Sequence, residues 1–171
     1  MGMVVLLIFL KTKISLISSI FIMISHSFIS TGLFILADFL YKQFHTRFII
    51  YYKGIINKIP IFSFYFFSFL IFNMGFPPSL GFIGEFLYFF SIVNNNISFF
   101  ILIANLIIVI YTIFILNKII FNKNISLTIN YFDFNIKYNS LFFILLYILI
   151  FFGVFPNLIF ECLNLFLIML I

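Results

Sequence analysis

Residues Asn73–Glu85, with the sequence NMGFPPSLGFIGE, interrupt an otherwise continuous apolar segment. The flanking runs, Ile59–Phe72 and Phe86–Val93, are each shorter than the ~20 apolar residues needed to cross the ~30 Å hydrocarbon core of a bilayer. Joined, they are long enough, but proline lacks the N–H that a helix requires and clashes with the preceding turn. We therefore predict one discontinuous helix over residues 60–93. The residues expected to break it are Gly75, Pro77, Pro78, Gly81 and Gly84.

A helix break at membrane depth is tolerated only where it is buried in protein or lines a watery cavity. Glu85 follows the break directly and has apolar neighbours on both sides. Because an acid at the centre of a transmembrane helix costs ~2.5–3.5 kcal/mol or more, such a residue is a functional hypothesis by default. The pattern is typical of discontinuous transporter helices. We interpret Glu85 as a proton relay; the alternative is a protonated acid that only hydrogen-bonds the broken backbone.

The composition indicates an integral membrane protein. Of the 171 residues, 65% are hydrophobic and 8% are charged, whereas soluble domains carry roughly 25% charged residues. The expected fold is all-α, a polytopic bundle of transmembrane helices. In so apolar a chain, the net charge of +5 is expected to set the topology rather than to bind nucleic acid. The single cysteine, Cys162, argues against a disulfide framework or an iron–sulfur centre within these residues.

We expect residues 1–157 to form one transmembrane bundle. Besides the broken helix, its predicted elements are a partial span at 1–10 and helices at 14–41, 97–121 and 140–155. Residues 158–171 are apolar but too few to cross a bilayer, so we expect a short helix that lies at the interface or docks on a partner.

Basic residues are divided unequally between the two ends of the predicted bundle. If the broken helix crosses the membrane once, one end carries Lys42, Arg47, Lys53, Lys58, Lys118, Lys123 and Lys137. The other end carries Lys11 and Lys13. Because inward-facing loops are enriched in lysine and arginine, the Lys42–Lys58 side is predicted to face inward. The asymmetry also favours a single crossing.

His26 lies among apolar residues in the middle of the helix predicted at 14–41. Imidazole changes its charge near neutral pH, which suits proton transfer. The alternative is a neutral histidine satisfied by a serine hydroxyl or a water. No second histidine or carboxylate follows at i+3 or i+4, so we expect no metal site there. Asp38 is expected to pair with Lys42 four residues on, and Asp133 and Glu161 are expected at the surface.

Four segments carry a family resemblance. They are SHSFISTGLFIL (Ser25–Leu36), YKQFHTR (Tyr41–Arg47), MGFPPSLGFIGEF (Met74–Phe86) and GVFPNLI (Gly153–Ile159). Together they resemble the antiporter-like membrane subunits of respiratory complex I, and among these the subunit 4 family. HTR after an aromatic-rich helix end and GEF after the break are specific in combination. The sister subunits typically carry lysine where Glu85 stands, which favours subunit 4.

The resemblance implies that Glu85 ends the second half-channel and that His26 belongs to the central hydrophilic axis. It implies a non-redox subunit of a proton-translocating NADH:ubiquinone reductase, next to other antiporter-like subunits in the lipid bilayer. Flavin, iron–sulfur clusters and quinone would lie in other subunits; a bound phospholipid stays compatible with this chain. The 31 Phe and abundant Ile resemble the output of an AT-rich organellar genome, so we expect the mitochondrial inner membrane, with the Lys42–Lys58 side in the matrix.

The chain resembles only the later spans of that family. We therefore expect a split subunit, in which a separate chain supplies the N-terminal half; the alternative is that this chain is a fragment of the subunit. Two alternatives stay open. A subunit of a multisubunit cation/proton antiporter shares this architecture but would lack NADH-oxidising and quinone-reducing partners. A structural remnant would move no protons and predicts a dry environment around Glu85.

Overall fold

The computed structural model describes residues 2–49, 52–92, 98–121 and 132–170, and within these ranges the chain is helical without strands. The helices are α1 (Gly2–Leu10), α2 (Lys13–Phe44), α3 (Pro60–Asn73), α4 (Leu80–Ile92), α5 (Ser98–Leu116), α6 (Ile136–Val154) and α7 (Asn157–Leu170). A 3₁₀ turn at Ile55–Asn57 precedes α3, and a π-helical turn at Asn117–Phe121 extends α5. The predicted all-α membrane fold is confirmed.

Three helices in the described part of the chain are long and apolar enough to cross a membrane: Lys13–Phe44, Ile103–Phe121 and Ile136–Val154. By contrast, α3 has 14 residues and α4 has 13, so each is too short alone. Relative to the predicted bounds, α2 continues to Phe44 and α6 begins at Ile136. Apolar runs mark the lipid-embedded part of a helix, and both helices continue into polar sequence. Predicted bounds at residues 1, 93, 97 and 171 lie outside the described residues.

Helix α2 is the element on which most of the other described helices pack. Thr12 begins it with a capping box, in which its hydroxyl accepts from the Ser15 amide at 3.2 Å and the Ser15 hydroxyl accepts from the Thr12 amide at 3.1 Å. It ends at His45, whose backbone is left-handed with φ +53°. Helices α1, α3, α4 and α6 all contact it.

The partners of α3 and α4 along α2 show that the two halves of the broken helix run in the same direction. In chain order, Phe62 lies beside Phe39, Phe69 beside Gly32, Gly81 beside Ser25, and Gly84 beside Ile22. As the chain advances through α3 and α4, its neighbours on α2 move steadily backwards. Both short helices therefore run antiparallel to α2 and continue in one direction, as a discontinuous helix does.

Helix α3 ends in a motif that satisfies its last carbonyls. Gly75 adopts φ +70°, a left-handed conformation that glycine reaches without steric cost. Its amide donates to the Phe72 carbonyl at 3.1 Å, and the Phe76 amide donates to the Ile71 carbonyl at 3.4 Å. This is a Schellman motif, the commonest way to close a helix with glycine. The first half of the break is thus closed by backbone bonds.

Helix α4 begins with its own cap. The Ser79 hydroxyl accepts from the Phe82 amide at 3.3 Å, and the Ser79 side chain is fully buried. Pro77 and Pro78, joined by a cis peptide bond, lie between this cap and the end of α3. They place no N–H in the break that would need a partner.

Gly81 and Gly84, which the sequence analysis assigned to the break, lie instead inside α4. The prolines already end the helix, so these glycines serve another purpose. A Cβ on Gly84 would come within 2.8 Å of the Ile22 side chain and 3.1 Å of its backbone nitrogen. The absence of that side chain lets α4 lie directly on α2, as small residues do at membrane helix interfaces.

The start of α3 is capped from far along the chain. Ile59, at the N-cap, provides no side-chain hydrogen bond, and Pro60 has no amide hydrogen. The Asp133 carboxylate instead accepts from the Ile61 amide at 2.9 Å and the Phe62 amide at 3.2 Å. Asp133 is half-buried, so it lies partly at the surface, as expected, while also capping this helix. It satisfies the donors that a helix start leaves free.

The basic end of the bundle can be traced through these contacts. The π-helical turn, with Lys118, packs against the 3₁₀ turn, and Asp133 brings the start of α6, with Lys137, to the start of α3. Both lysines therefore lie at the end marked by Lys42–Lys58, whereas Lys123 lies outside the described residues.

The ion pair expected between Asp38 and Lys42 is confirmed, because Lys42 Nζ lies 2.6 Å from the Asp38 carboxylate.

Helix α7 docks on the core of this chain through its first turns. The Phe160 ring lies 4.9 Å from the Phe21 ring, and Ile159 and Leu163 pack against the same core. Glu161 is exposed on the same helix, as expected.

Gly153→Ala should destabilise the protein by about 1–3 kcal/mol, the usual cost of overpacking. A Cβ at Gly153, on α6, would lie 2.8 Å from the Ser79 carbonyl carbon and 2.9 Å from the Leu80 nitrogen. These are backbone atoms of the break, so α6 would have to move. Thermal unfolding of the assembled protein in detergent measures the effect.

Gly81→Ala is the matched control, because its Cβ would meet atoms no closer than 3.6 Å. Alanine is the better helix former by ~1 kcal/mol, so this variant should be neutral or more stable. Equal stability of the two variants would contradict the close packing of α6 on the break.

Candidate functional site

A cavity of about 670 Å³ opens beside the break, between α1, α2, α4 and α5. Its wall contains both side chains that the sequence singled out, Glu85 from α4 and His26 from α2. The other polar residues of the wall are Asn73, Tyr88, Asn105, Tyr111 and Thr112. The structure thus brings the two candidate relay groups to one cavity, whose wall is mostly apolar with a few polar side chains, although 59 positions separate them in the chain.

The packing of α5 explains why the cavity exists. Helix α5 contacts α3, and its π-helical end contacts the 3₁₀ turn. Its first half faces α4 across the gap, with Asn105 and Ala104 in the wall. Helix α1 closes another side with Gly2, Met3 and Leu6. Small residues at two of these positions leave space that larger side chains would fill.

Glu85 lies in the second turn of α4 and folds back onto the break. A Cβ built on Gly75 would lie 2.6 Å from the carboxyl carbon of Glu85. The carboxyl group therefore rests on the backbone that ends α3, in the space that the missing glycine side chain leaves. The residue is half-buried and also lines the cavity, so it can exchange a proton with groups or water there.

His26 is half-buried on the face of α2 that meets the cavity. The neighbouring hydroxyls of Ser25, Ser27 and Ser30 donate to carbonyls of the preceding turn, at 3.0, 2.7 and 3.1 Å. Their hydrogens are therefore used within α2 rather than on the imidazole. The ring is left to interact with the contents of the cavity.

Sequence reasoning missed Tyr88 and Asn105. Tyr88 is fully buried, and its hydroxyl has no hydrogen-bond partner among the described residues. Both side-chain amide atoms of Asn105 are likewise buried without a partner in that part of the chain. The sequence does contain features that could have identified them. Tyr88 follows Glu85 by one helical turn, and Asn105 carries the one side-chain amide of α5. Thr112 differs, because its hydroxyl donates to the Ile108 and Val109 carbonyls.

The chain is similar in sequence to subunits of NADH:quinone oxidoreductases. The chain is 37% identical to NADH-ubiquinone oxidoreductase chain 4 of Acanthamoeba castellanii over 160 residues, which cover 90% of this chain and 31% of that protein. It is 32% identical to NADH-quinone oxidoreductase subunit M of Rickettsia prowazekii over 160 residues, covering 92% of this chain and 33% of that protein. The chain thus spans about a third of the length of the curated relatives it matches.

A solved structure shows the same fold. A chain of respiratory complex I from Thermus thermophilus with bound NADH matches with a TM-score of 0.81 at 22% identity, covering 91% of this chain and 33% of that chain. Residues 1–111 match the family described as NADH:quinone oxidoreductase/Mrp antiporter, transmembrane. The discontinuous helix and its buried acid lie within these residues, and the chain belongs to this NADH:quinone oxidoreductase/Mrp antiporter family of transmembrane proteins.

Proposed function

We propose that this chain is a proton-translocating, non-redox part of the membrane arm of an NADH:ubiquinone oxidoreductase. Glu85 and His26 pass protons through the cavity beside the broken helix. The observation that carries the proposal is the position of Glu85, which rests on the break and lines a cavity shared with His26. An intramembrane acid in such a place is the expected form of a proton relay.

The backbone of the break argues against a purely structural acid. The amides of Gly75, Phe76 and Ser79 all donate to carbonyl groups of the preceding residues. Ser79 supplies the acceptor for the start of α4. The amides from Gly75 to Ser79 therefore do not require the Glu85 carboxylate as an acceptor, and that group is available to gain and lose a proton.

In this mechanism, electron transfer in other subunits shifts charge along the membrane arm. The change in local field alters which protonation state of Glu85 is favoured, because nearby charge and hydration decide the stability of a buried carboxylate. The proton moves between Glu85 and His26 through the cavity. NADH oxidation and quinone reduction, with their flavin and iron–sulfur clusters, belong to other subunits.

The partners follow from the same proposal. A separate chain supplies the N-terminal half of the subunit, and other antiporter-like subunits lie alongside. The outer face of α1 suits such a neighbour or lipid, because Val5, Ile8 and Phe9 are 53%, 50% and 77% exposed. The chain resides in the mitochondrial inner membrane, with the Lys42–Lys58 side in the matrix.

A second cavity has the size and lining expected of a phospholipid-binding site. This cavity, also about 670 Å³, is lined mostly by apolar residues of α2 and α3, including Leu33 and Phe66, and has Arg47 in its wall together with Asp38, which is paired with Lys42. The Arg47 guanidinium lies 5.3 Å from the centre of the Tyr41 ring, near the basic end of the bundle. An apolar cleft beside a cation matches an acyl chain with an anionic headgroup.

Glu85→Gln should reduce proton transfer through this chain by at least about 100-fold, because a general acid–base group contributes ~10²–10⁴-fold. The amide keeps the shape of the side chain but cannot carry the proton. The measurement is the number of protons pumped per electron pair, together with NADH:ubiquinone turnover, in vesicles that contain the whole assembly. Glu161→Gln, at an exposed position on α7, is the control and should change neither value. Unchanged pumping and turnover in Glu85→Gln would refute the relay.

Gly75→Ala should be destabilising, and part of its cost should depend on Glu85. Alanine at φ +70° loses ~1–2 kcal/mol in the left-handed region, and its Cβ would also collide with the Glu85 carboxyl. In a Glu85→Ala background the collision disappears and only the backbone cost remains. A double-mutant cycle on thermal stability measures the difference. Additive effects would mean that the carboxyl does not rest on Gly75.

Purification of the tagged chain distinguishes the proposal from a cation/proton antiporter, which the family description also covers. We expect NADH-oxidising and quinone-reducing subunits to co-purify with it, because its relatives are named as chain 4 or subunit M of such enzymes. The assembly should oxidise NADH with added ubiquinone. Recovery of a complex that exchanges cations for protons and has neither redox activity would contradict the proposal.

A further inference from the structure

Three buried polar atoms in the wall of the Glu85 cavity have no partner among the described residues. They are the Tyr88 hydroxyl oxygen and the Nδ2 and Oδ1 atoms of Asn105. Buried polar groups are nearly always hydrogen-bonded, either to protein or to ordered water. Two such side chains in one cavity therefore indicate a ligand that both donates and accepts hydrogen bonds.

The position of Tyr88 is fixed by packing. Its ring is fully buried in a cluster with Leu7 of α1 and Ile92 of α4. Tyr88 follows Glu85 by three residues, so both side chains lie on the same face of α4, one turn apart. Packing thus fixes the Tyr88 ring in the wall of the cavity, on the same face of α4 as Glu85.

Asn105 approaches the same space from α5. Its amide offers two donors and a carbonyl acceptor, and the tyrosine hydroxyl offers one donor and two lone pairs. A buried water typically makes about three hydrogen bonds and needs two to four polar partners. Tyr88, Asn105 and the Glu85 carboxyl supply that number, and the volume of about 670 Å³ far exceeds the ~30 Å³ share of one water.

We propose that Tyr88 and Asn105 bind ordered water against the Glu85 carboxyl and so act as positioning residues for its proton exchange. The water accepts the proton that Glu85 releases and passes one of its own hydrogens onward, so its composition is unchanged. The link to pumping rests on the proposed function of Glu85, whereas the water site itself does not.

Infrared difference spectroscopy of the assembled protein tests the water site directly. The carboxyl vibration of Glu85 is identified by its loss in Glu85→Gln. Tyr88→Phe removes only the hydroxyl, and Asn105→Leu replaces the amide with an apolar group of similar size. Each should shift the Glu85 band and slow its hydrogen–deuterium exchange by about two- to tenfold, the effect of one net hydrogen bond. Asn105→Ser keeps a group that can bind water and should recover part of the exchange rate.

Tyr147→Phe is the control for Tyr88→Phe, because Tyr147 on α6 is 57% exposed and does not line the cavity. It should leave the band and the exchange rate unchanged. If Tyr88→Phe also leaves both unchanged and raises thermal stability, the hydroxyl lies in a dry pocket and the inference is overturned.

Proton pumping separates this inference from the proposed function. A shifted Glu85 band in Tyr88→Phe, together with normal pumping in Glu85→Gln, would establish the water site and overturn the proposed function. Loss of pumping in Glu85→Gln, with no effect of Tyr88→Phe or Asn105→Leu on band or exchange, would overturn the water site alone.

Discussion

A polypeptide in a bilayer must satisfy its backbone hydrogen bonds within the protein, and this constraint governs the whole arrangement around the break. The chain meets it with a glycine-terminated turn at Gly75 and a serine cap at Ser79. Two prolines between them carry no N–H at all. Most backbone N–H groups at the break therefore have hydrogen-bond acceptors, which reduces the cost of interrupting the helix.

Closing the break in this way also places the acid. Gly75 has no side chain, and the Glu85 carboxyl occupies the space beside it. Gly153 lets α6 lie against the backbone of the break from another side, while α5 leaves a gap. The carboxyl consequently lines the cavity that His26 also lines, rather than a filled core. Gly75 and Gly153, which allow close packing at the break, thus also determine the surroundings of the Glu85 carboxyl.

The sequence predicted the features that depend on near neighbours. Prolines and glycines between two short apolar runs identified the break, and the spacing of Asp38 and Lys42 predicted their ion pair. It did not predict the cap of α3, because Asp133 lies 72 positions from Ile61, beyond any local pattern. Gly81 and Gly84 were assigned to the break because glycine commonly interrupts a helix. Their actual role, close contact with α2, depends on how the helices pack and has no local signal in the sequence. Tyr88 and Asn105 were missed for the same reason, since the cavity depends on where α5 lies.

The residues that line the cavity determine how a charge on Glu85 could be stabilised. Within the described part of the chain, no lysine or arginine lines its wall, and Lys42 is already paired with Asp38. An ionised carboxylate there would need water or another polar group beside it, since burial alone disfavours the charged form. Under the proposed function, entry of water would favour release of the proton from Glu85, and its removal would favour uptake. Under the same proposal, a shift of α1 or α5 that changes the volume of the cavity would move a proton, and this is the physical route by which a distant charge movement would reach Glu85.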